Sequence, residues 1–294
     1  MKAGVIVPQG WTGEYDGWDP RRAWARTVEL AQQTERLGFE SVWLFDHFHT
    51  VPEPTDEITF ESFTSLAHLG AVTSRVRLGH LVICAGFRNP ALTAKMISTM
   101  DVQTGGRMEL GIGAGWKRDE WTAYGYGFPS TGDRLGALRD QLEVMTAMLG
   151  SGRATYSGTY ASVDGAINVP KPVQQPRVPI MVGGNGPNVT WRLAARYADE
   201  LNLDGLDPTE AETALGVIAD RCHEVGRDPG SLPVSAHIWF RDPQVTRETR
   251  VSTLAAFAQL GISRVMLAVR EAVESDAALE QLAEDCDRAG VDLA

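Results

Sequence analysis

Eight short apolar runs, separated by amphipathic stretches, constrain this chain more than any other feature. They cover residues 2–7, 41–45, 77–83, 108–112, 178–182, 199–203, 234–240 and 263–269. Near-continuous Val, Ile and Leu without strict alternation suits parallel strands covered on both faces. Helical patterns fill the intervals. Leu135, Leu138, Leu142, Met145 and Leu149 are spaced 3, 4, 3 and 4, which is one face of a helix. Residues 20–37 form another pattern, with Asp19 as N-cap, Pro20 in the first turn and Gly38 as the stop.

Eight strand-then-helix units predict an α/β chain folded as a (β/α)8 TIM barrel. The rival is an open doubly wound sheet with its ligand at a strand-order reversal. The 294 residues suit one barrel domain over 1–294 with insertions. One insertion, at about 150–178, carries Ala154-Thr-Tyr-Ser-Gly-Thr-Tyr160, in which Ser157-Gly158 reads as a hairpin turn. It then carries Pro170, Pro172 and Pro176, which read as an extended surface crossing. A second long connection, 47–60, is acidic.

The formal charge of −11 argues against nucleic acid or an anionic membrane as the main partner. No run reaches 18 apolar residues, so no spanning segment is expected, and the first residues do not form a secretory apolar region. Three scattered cysteines without a C-x-x-C fit reduced thiols and a cytoplasmic protein.

In a barrel, chemistry sits where strands end. Asp46 and His47 follow the second run. Cys84 and Arg88 follow the third. Ala114, Gly115, Trp116, Lys117, Arg118, Asp119 and Glu120 follow the fourth. Gly183, Gly184, Asn185 and Gly186 follow the fifth, and Asp204 the sixth. His237, Trp239 and then Arg241 mark the seventh, and Arg270 the eighth. Gly183-Gly-Asn-Gly-Pro opens a helical pattern and reads either as a phosphate cradle or as a tight turn. Gly111-Ile-Gly-Ala-Gly would let a flat ring approach the backbone. His47 reads as a proton partner or as a hydrogen-bonded structural histidine. His47, His49, His80 and His237 show no zinc spacing, so no metal is expected.

Taken in order, several stretches resemble the luciferase-like flavin and deazaflavin oxidoreductases, in particular their coenzyme F420-dependent group. They are Phe39-Glu-Ser-Val-Trp-Leu-Phe-Asp-His47, Val76-Arg-Leu-Gly-His-Leu-Val82, Arg88-Asn-Pro-Ala-Leu-Thr-Ala-Lys95, Gly105-Gly-Arg-Met-Glu-Leu-Gly-Ile-Gly-Ala-Gly-Trp116, Lys171-Pro-Val-Gln-Gln-Pro176 with Gly183 to Gly186, and Ala194-Ala-Arg-Tyr-Ala-Asp199. The resemblance implies a TIM barrel, a homodimer and a small-molecule substrate. It implies hydride transfer between the deazaflavin C5 and that substrate. It also implies a non-proline cis peptide at Leu81-Val82 behind the ring. A phosphate site is implied at Gly183 to Gly186, ring contacts from Asp46, Ala114, Gly115 and Trp116, and His47 with Asp46 as the catalytic pair. Arg88, Lys117 and Arg118 are candidates for a basic groove for the cofactor's acidic tail, or else a solvated face. The alternatives are an FMN-dependent two-component monooxygenase and a non-catalytic flavin- or deazaflavin-binding barrel. The sequence departs from the sugar-phosphate dehydrogenase branch, where a Glu follows the strand-four glycines. Here that residue is Trp116, with Asp119 and Glu120 a turn later.

Overall fold

The computed structural model describes residues 1–240 and 245–293, so Arg241 lies outside the described residues. The apolar runs become eight parallel strands: β1 (Lys2–Ile6), β2 (Ser41–Leu44), β3 (Arg77–His80), β4 (Met108–Gly113), β5 (Ile180–Gly183), β6 (Glu200–Asp204), β7 (Val234–Ile238) and β8 (Arg264–Ala268). Each pairs with the next, Leu78 sits opposite Met108, and β8 returns to β1 with Lys2 opposite Arg264. The sheet therefore closes, and the open-sheet rival is excluded. The third run is shorter than expected. It breaks after His80, the Leu81–Val82 peptide is cis, and Ile83–Cys84 then pairs beside the end of β4.

The helices follow from local signals. In α1 (Pro20–Arg36), Asp19 Oδ1 accepts from the N–H groups of Arg21 and Arg22, at 3.0 and 3.1 Å. In α3 (Pro90–Thr104), Asn89 does the same, and Gly105, with φ 67°, ends the helix in the left-handed region. Between them lies α2 (Ser62–Val72). Beyond them lie α4 (Arg118–Ala123), α5 (Thr131–Leu149), α6 (Thr190–Tyr197), α7 (Pro208–Glu224), α8 (Arg247–Gln259) and α9 (Ala277–Arg288). The expected stripe on α5 buries Leu138, Leu142, Met145 and Leu149, while Leu135 stays partly exposed.

Large and small side chains alternate around the barrel axis. Trp43 is fully buried and donates from Nε1 to Ser41 Oγ at 2.8 Å. A Cβ on Gly79 would lie 2.1 Å from its ring, and one on Gly4 would lie 2.7 Å from its Nε1. Both flanking strands thus present glycine where the indole needs room.

The insertion is a surface appendage. The strands Ala154–Ser157 and Ser162–Ala166 pair antiparallel, with Ser157 opposite Ser162. The turn is therefore longer than Ser157-Gly158. Asp140 selects it, accepting from the Tyr160 N–H at 2.7 Å and the Tyr156 hydroxyl at 2.8 Å. The proline crossing is pinned by buried Asp101, which accepts from the N–H groups of Val173 and Gln174.

Charges plug the barrel floor. Arg264 reaches Glu109 at 2.8 Å, Glu200 at 3.2 Å and Glu40 at 3.6 Å, and Arg77 also pairs with Glu109. Three buried carboxylates share two guanidinium groups. Glu200 Oε1 has no hydrogen-bond partner, and burial pushes the Glu200 carboxyl up to about 7. A raised folded pKa contributes stability that is complete below the unfolded value and lost as pH rises through about 7. Glu200→Gln is therefore expected to raise unfolding stability at pH 8 by about 1–2 kcal/mol, with little effect at pH 5. Denaturant titration at both pH values checks this, and an equal or negative change at pH 8 would contradict it.

Candidate active site

Most of the described residues singled out at the strand ends line one mouth of the barrel, which divides into two connected chambers, while Arg88 and Gly186 line neither. The inner chamber, about 560 Å³, is walled by Asp46, His47, Val82, Ala114, Gly183 and Asn185 among others. The outer chamber, about 1300 Å³, lies over the ends of β1, β2 and β8. Trp11, Phe45, Trp116 and Trp239 border both.

Asp46 and His47 leave β2 in opposite directions, as consecutive extended residues do. Asp46 turns into the protein. Its carboxylate accepts both arms of the Arg88 guanidinium, at 2.7 and 2.8 Å, the Cys84 N–H at 2.9 Å and the Ser62 hydroxyl at 3.0 Å. Burial alone would raise its pKa, but the Arg88 fork and the Cys84 N–H hold it below the usual carboxylate range. Both oxygens are thus committed to tying β2 to the segment after β3. Arg88 also bonds Glu61 at 2.9 Å and lies over the Phe63 ring. It is a half-buried strut, committed to Asp46 and Glu61, which corrects its reading as a candidate for a basic groove. Lys117 is likewise buried and bonds Asp119 at 2.6 Å. Arg118 lies over the Phe128 ring.

His47 turns toward the chamber and lies flat on Trp11, with ring centroids 4.2 Å apart and planes 2° apart. Its Nδ1 is 2.8 Å from Glu120 Oε2, and the other Glu120 oxygen accepts the Phe48 N–H. Glu120 is fully buried at the start of α4. A carboxylate only accepts, so the proton of the pair sits on Nδ1 and Nε2 is the nitrogen presented to a ligand. Sequence reasoning placed Glu120 in the loop but gave it no partner, because the contact spans 73 residues.

The glycines prove to serve two purposes. A Cβ on Gly111, Gly113 or Gly183 would lie 2.8–3.0 Å from a methyl of Val82, and one on Gly115 would lie 2.4 Å from Cys84 Sγ. Gly113, Gly115 and Gly183 thus clear space for neighbouring side chains, and Gly111 does so for the His80 carbonyl, which its Cβ would meet at 2.0 Å. Gly184 differs. Its φ is 123°, and a Cβ there would meet nothing nearer than Thr190 Cγ2 at 3.8 Å. The helix beyond, α6, begins at Thr190, later than the glycine motif suggested. Val189 brings no side-chain cap to it. No side-chain oxygen caps this turn, and the Trp191 N–H donates instead to the Gly186 carbonyl at 3.0 Å. The Asn185 amide is engaged with the Asp204 backbone, donating to its carbonyl at 2.7 Å and accepting from its N–H at 3.0 Å.

Two further groups of the wall escaped prediction as a pair. His237 Nδ1 is 3.1 Å from Asp204 Oδ1, and His237 lies against the Trp239 ring. Cys84 is buried, and burial pushes its thiol up to about 12, which makes it a poor nucleophile. His80 is buried against Phe63, and burial lowers its pKa to about 4, so it stays neutral. Among the described residues no group of three His, Cys, Asp or Glu side chains gathers to hold a metal. Among the same residues no helix is long and apolar enough to cross a membrane.

The geometry fits a flat, acceptor-rich ring with a phosphoryl arm. Trp11 Nε1 and Trp121 Nε1, both on residues of the inner wall, are buried donors without a protein partner. The Gly184 loop leaves room for an anion beside the start of α6, where no side chain caps the helix, although the Gly184 and Trp191 N–H groups are already bonded to the Asn202 and Gly186 carbonyls.

Comparison with known proteins agrees in kind. An F420-dependent glucose-6-phosphate dehydrogenase of Intrasporangium calvum is 32% identical over 256 residues, covering 80% of this chain and 74% of that protein. The solved structure of an F420-dependent secondary alcohol dehydrogenase with an F420-acetone adduct superposes with a TM-score of 0.81. It is 20% identical and covers 98% of this chain and 99% of its own. The FMN complex of the oxygenating constituent of 3,6-diketocamphane monooxygenase from Pseudomonas putida superposes at 0.75. It is 16% identical and covers 97% of this chain and 96% of its own. At those identities the two structures speak for the fold alone. The family model for luciferase-like monooxygenases matches residues 1–288, and the chain belongs to that family.

Proposed function

We propose that the protein is an oxidoreductase that uses coenzyme F420 to move a hydride to or from a small organic substrate. The observation that carries this is the His47–Glu120 pair, stacked on Trp11 at the wall of a ring-sized chamber whose far end opens on the Gly184 loop. The choice of F420 is supported by the F420-dependent relative at 32% identity. The same chamber would take FMN, and the FMN-binding structure of like fold keeps a monooxygenase as the second reading.

When bound, the deazaflavin supplies a hydride donor or acceptor at C5. Val82, Ala114, Gly115 and Trp116 would flank the ring. Gly183, Gly184, Asn185 and Gly186, with Thr190 and the start of α6, would hold its phosphate. Asp46 positions this wall through Arg88 and Cys84 rather than touching protons itself. His47 holds or delivers a proton from Nε2, and Glu120 fixes the tautomer and steadies the ring when it is charged. The aromatic walls exclude water from the reacting atoms.

Parallel titrations with F420 and with FMN, each followed by the ligand's own fluorescence, test the assignment. The expected result is saturable F420 binding at least about tenfold tighter than FMN. The opposite order would hand the site to the FMN reading, and binding of neither would remove the cofactor proposal.

A further inference from the structure

The outer chamber has features that the cofactor reading leaves unused. It is larger than the roughly 300–1,000 Å³ typical of small-ligand sites. Five aromatic side chains, Trp11, Phe45, Trp116, Trp239 and Phe240, line it together with Val51 and Pro8. Phe45 and Trp239 are stacked within 10° of parallel at 5.4 Å, presenting one continuous apolar wall. Trp116 is 65% exposed at the passage between the chambers, which is an unfavourable place for an indole unless a ligand covers it.

The charges of the chamber do not favour an anion. Among the described lining residues, Glu14, Glu53, Asp119 and Glu271 outnumber Lys117, Arg118 and Arg270. One of the three cations is buried and ion-paired, and the two arginines are exposed. Lys117 bonds Asp119, Arg118 lies over Phe128, and Arg270 donates to the Gly13 carbonyl at 3.3 Å. A phosphate dianion needs converging, uncommitted guanidinium or ammonium groups. In the described wall Lys117 is tied to Asp119, and the two arginines come from different segments, α4 and the stretch after β8. The glycine loop and the start of α6, the groups suited to a phosphate, border the inner chamber only.

We infer that the outer chamber is the substrate site and that it takes an uncharged, flat, aromatic or polycyclic molecule, rather than a sugar phosphate. This rests on the reading that the ring occupies the inner chamber, because only then does the outer one remain for the substrate. Aromatic faces reward a flat apolar partner through stacking and burial. The acidic excess penalises a negative one.

A matched pair of probes tests it. N-phenyl-1-naphthylamine is neutral, and 8-anilinonaphthalene-1-sulfonate is the same skeleton with a negative charge. Energy transfer from tryptophan to each probe is measured on the full-length protein, with and without F420, and F420 binding is titrated separately. The neutral probe is expected to bind at one site at least about tenfold more tightly than the sulfonate. Trp116→Ala should weaken it about fivefold or more. Trp116 is mostly exposed, so its removal spares the fold. As a second variant, Glu53→Arg should narrow the gap between the two probes. Equal or tighter binding of the sulfonate, or displacement of the neutral probe by glucose 6-phosphate, would overturn the inference. So would a probe affinity unmoved by Trp116→Ala. If F420 fails to bind while the neutral probe still does so with the stated preference, the cofactor reading falls and the chamber's selectivity stands.

Discussion

In His47→Ala, turnover falls about 10²–10⁴-fold while cofactor affinity stays within a few-fold. The expectation comes from position. The imidazole borders the chamber, is held flat against Trp11 and has one nitrogen tied to a buried carboxylate. Loss of the ring removes the proton partner but leaves the Gly184 loop and the start of α6 untouched. Glu120→Gln should have a smaller effect with a distinct signature. A neutral amide holds the imidazole in place less firmly, so kcat falls while KM for the substrate stays within a few-fold. Steady-state assays with an enone, imine or alcohol substrate, run from pH 5 to 9, separate the two variants. An unchanged rate in His47→Ala would remove His47 from the chemistry.

The second large effect is on stability. Asp46→Ala leaves the half-buried Arg88 guanidinium with only Glu61 as its charged partner, and leaves the Cys84 N–H without its acceptor. Breaking one side of a buried, hydrogen-bonded charge pair costs about 3–5 kcal/mol. The folded pKa of Asp46 is depressed, so its contribution is complete above the ordinary carboxylate range near pH 4. It is lost only as pH falls through the lower folded value. The loss in Asp46→Ala should therefore be undiminished at pH 7 and shrink in strong acid. A double variant with Arg88→Leu should cost less than the sum of the single changes, because the stranded charge is gone. Urea unfolding gives all three values. A loss below about 1 kcal/mol for Asp46→Ala would show that the strut is idle.

The barrel was legible because its signals are local. Buried parallel strands read as apolar runs, and Asp19 and Asn89 announce helix starts by their own chemistry. What was not legible depends on contacts distant in sequence. Nothing near Arg88 in the chain says that it folds back 42 residues to clamp Asp46, so it read as a candidate for a surface groove. Glu120 gave no sign that it would meet His47. The hairpin was foreseen but its turn was misplaced, because Asp140, on α5, captures the Tyr160 N–H and so sets the loop length. In the sequence, the glycines at the ends of β4 and β5 point to a ligand. Most of them make room for Val82 and Cys84, and the distinction between a glycine that admits a neighbour and one that faces open space exists only in three dimensions.

The most direct test of the central claim is a crystal structure of the protein soaked with F420. The tricyclic ring is expected in the inner chamber beside Val82, within reach of His47, with its phosphate at Gly184 and the start of α6 and the aromatic outer chamber left open. Density for the ring in the outer chamber between Trp116 and Trp239, or for the phosphate away from the Gly184 loop, would contradict it.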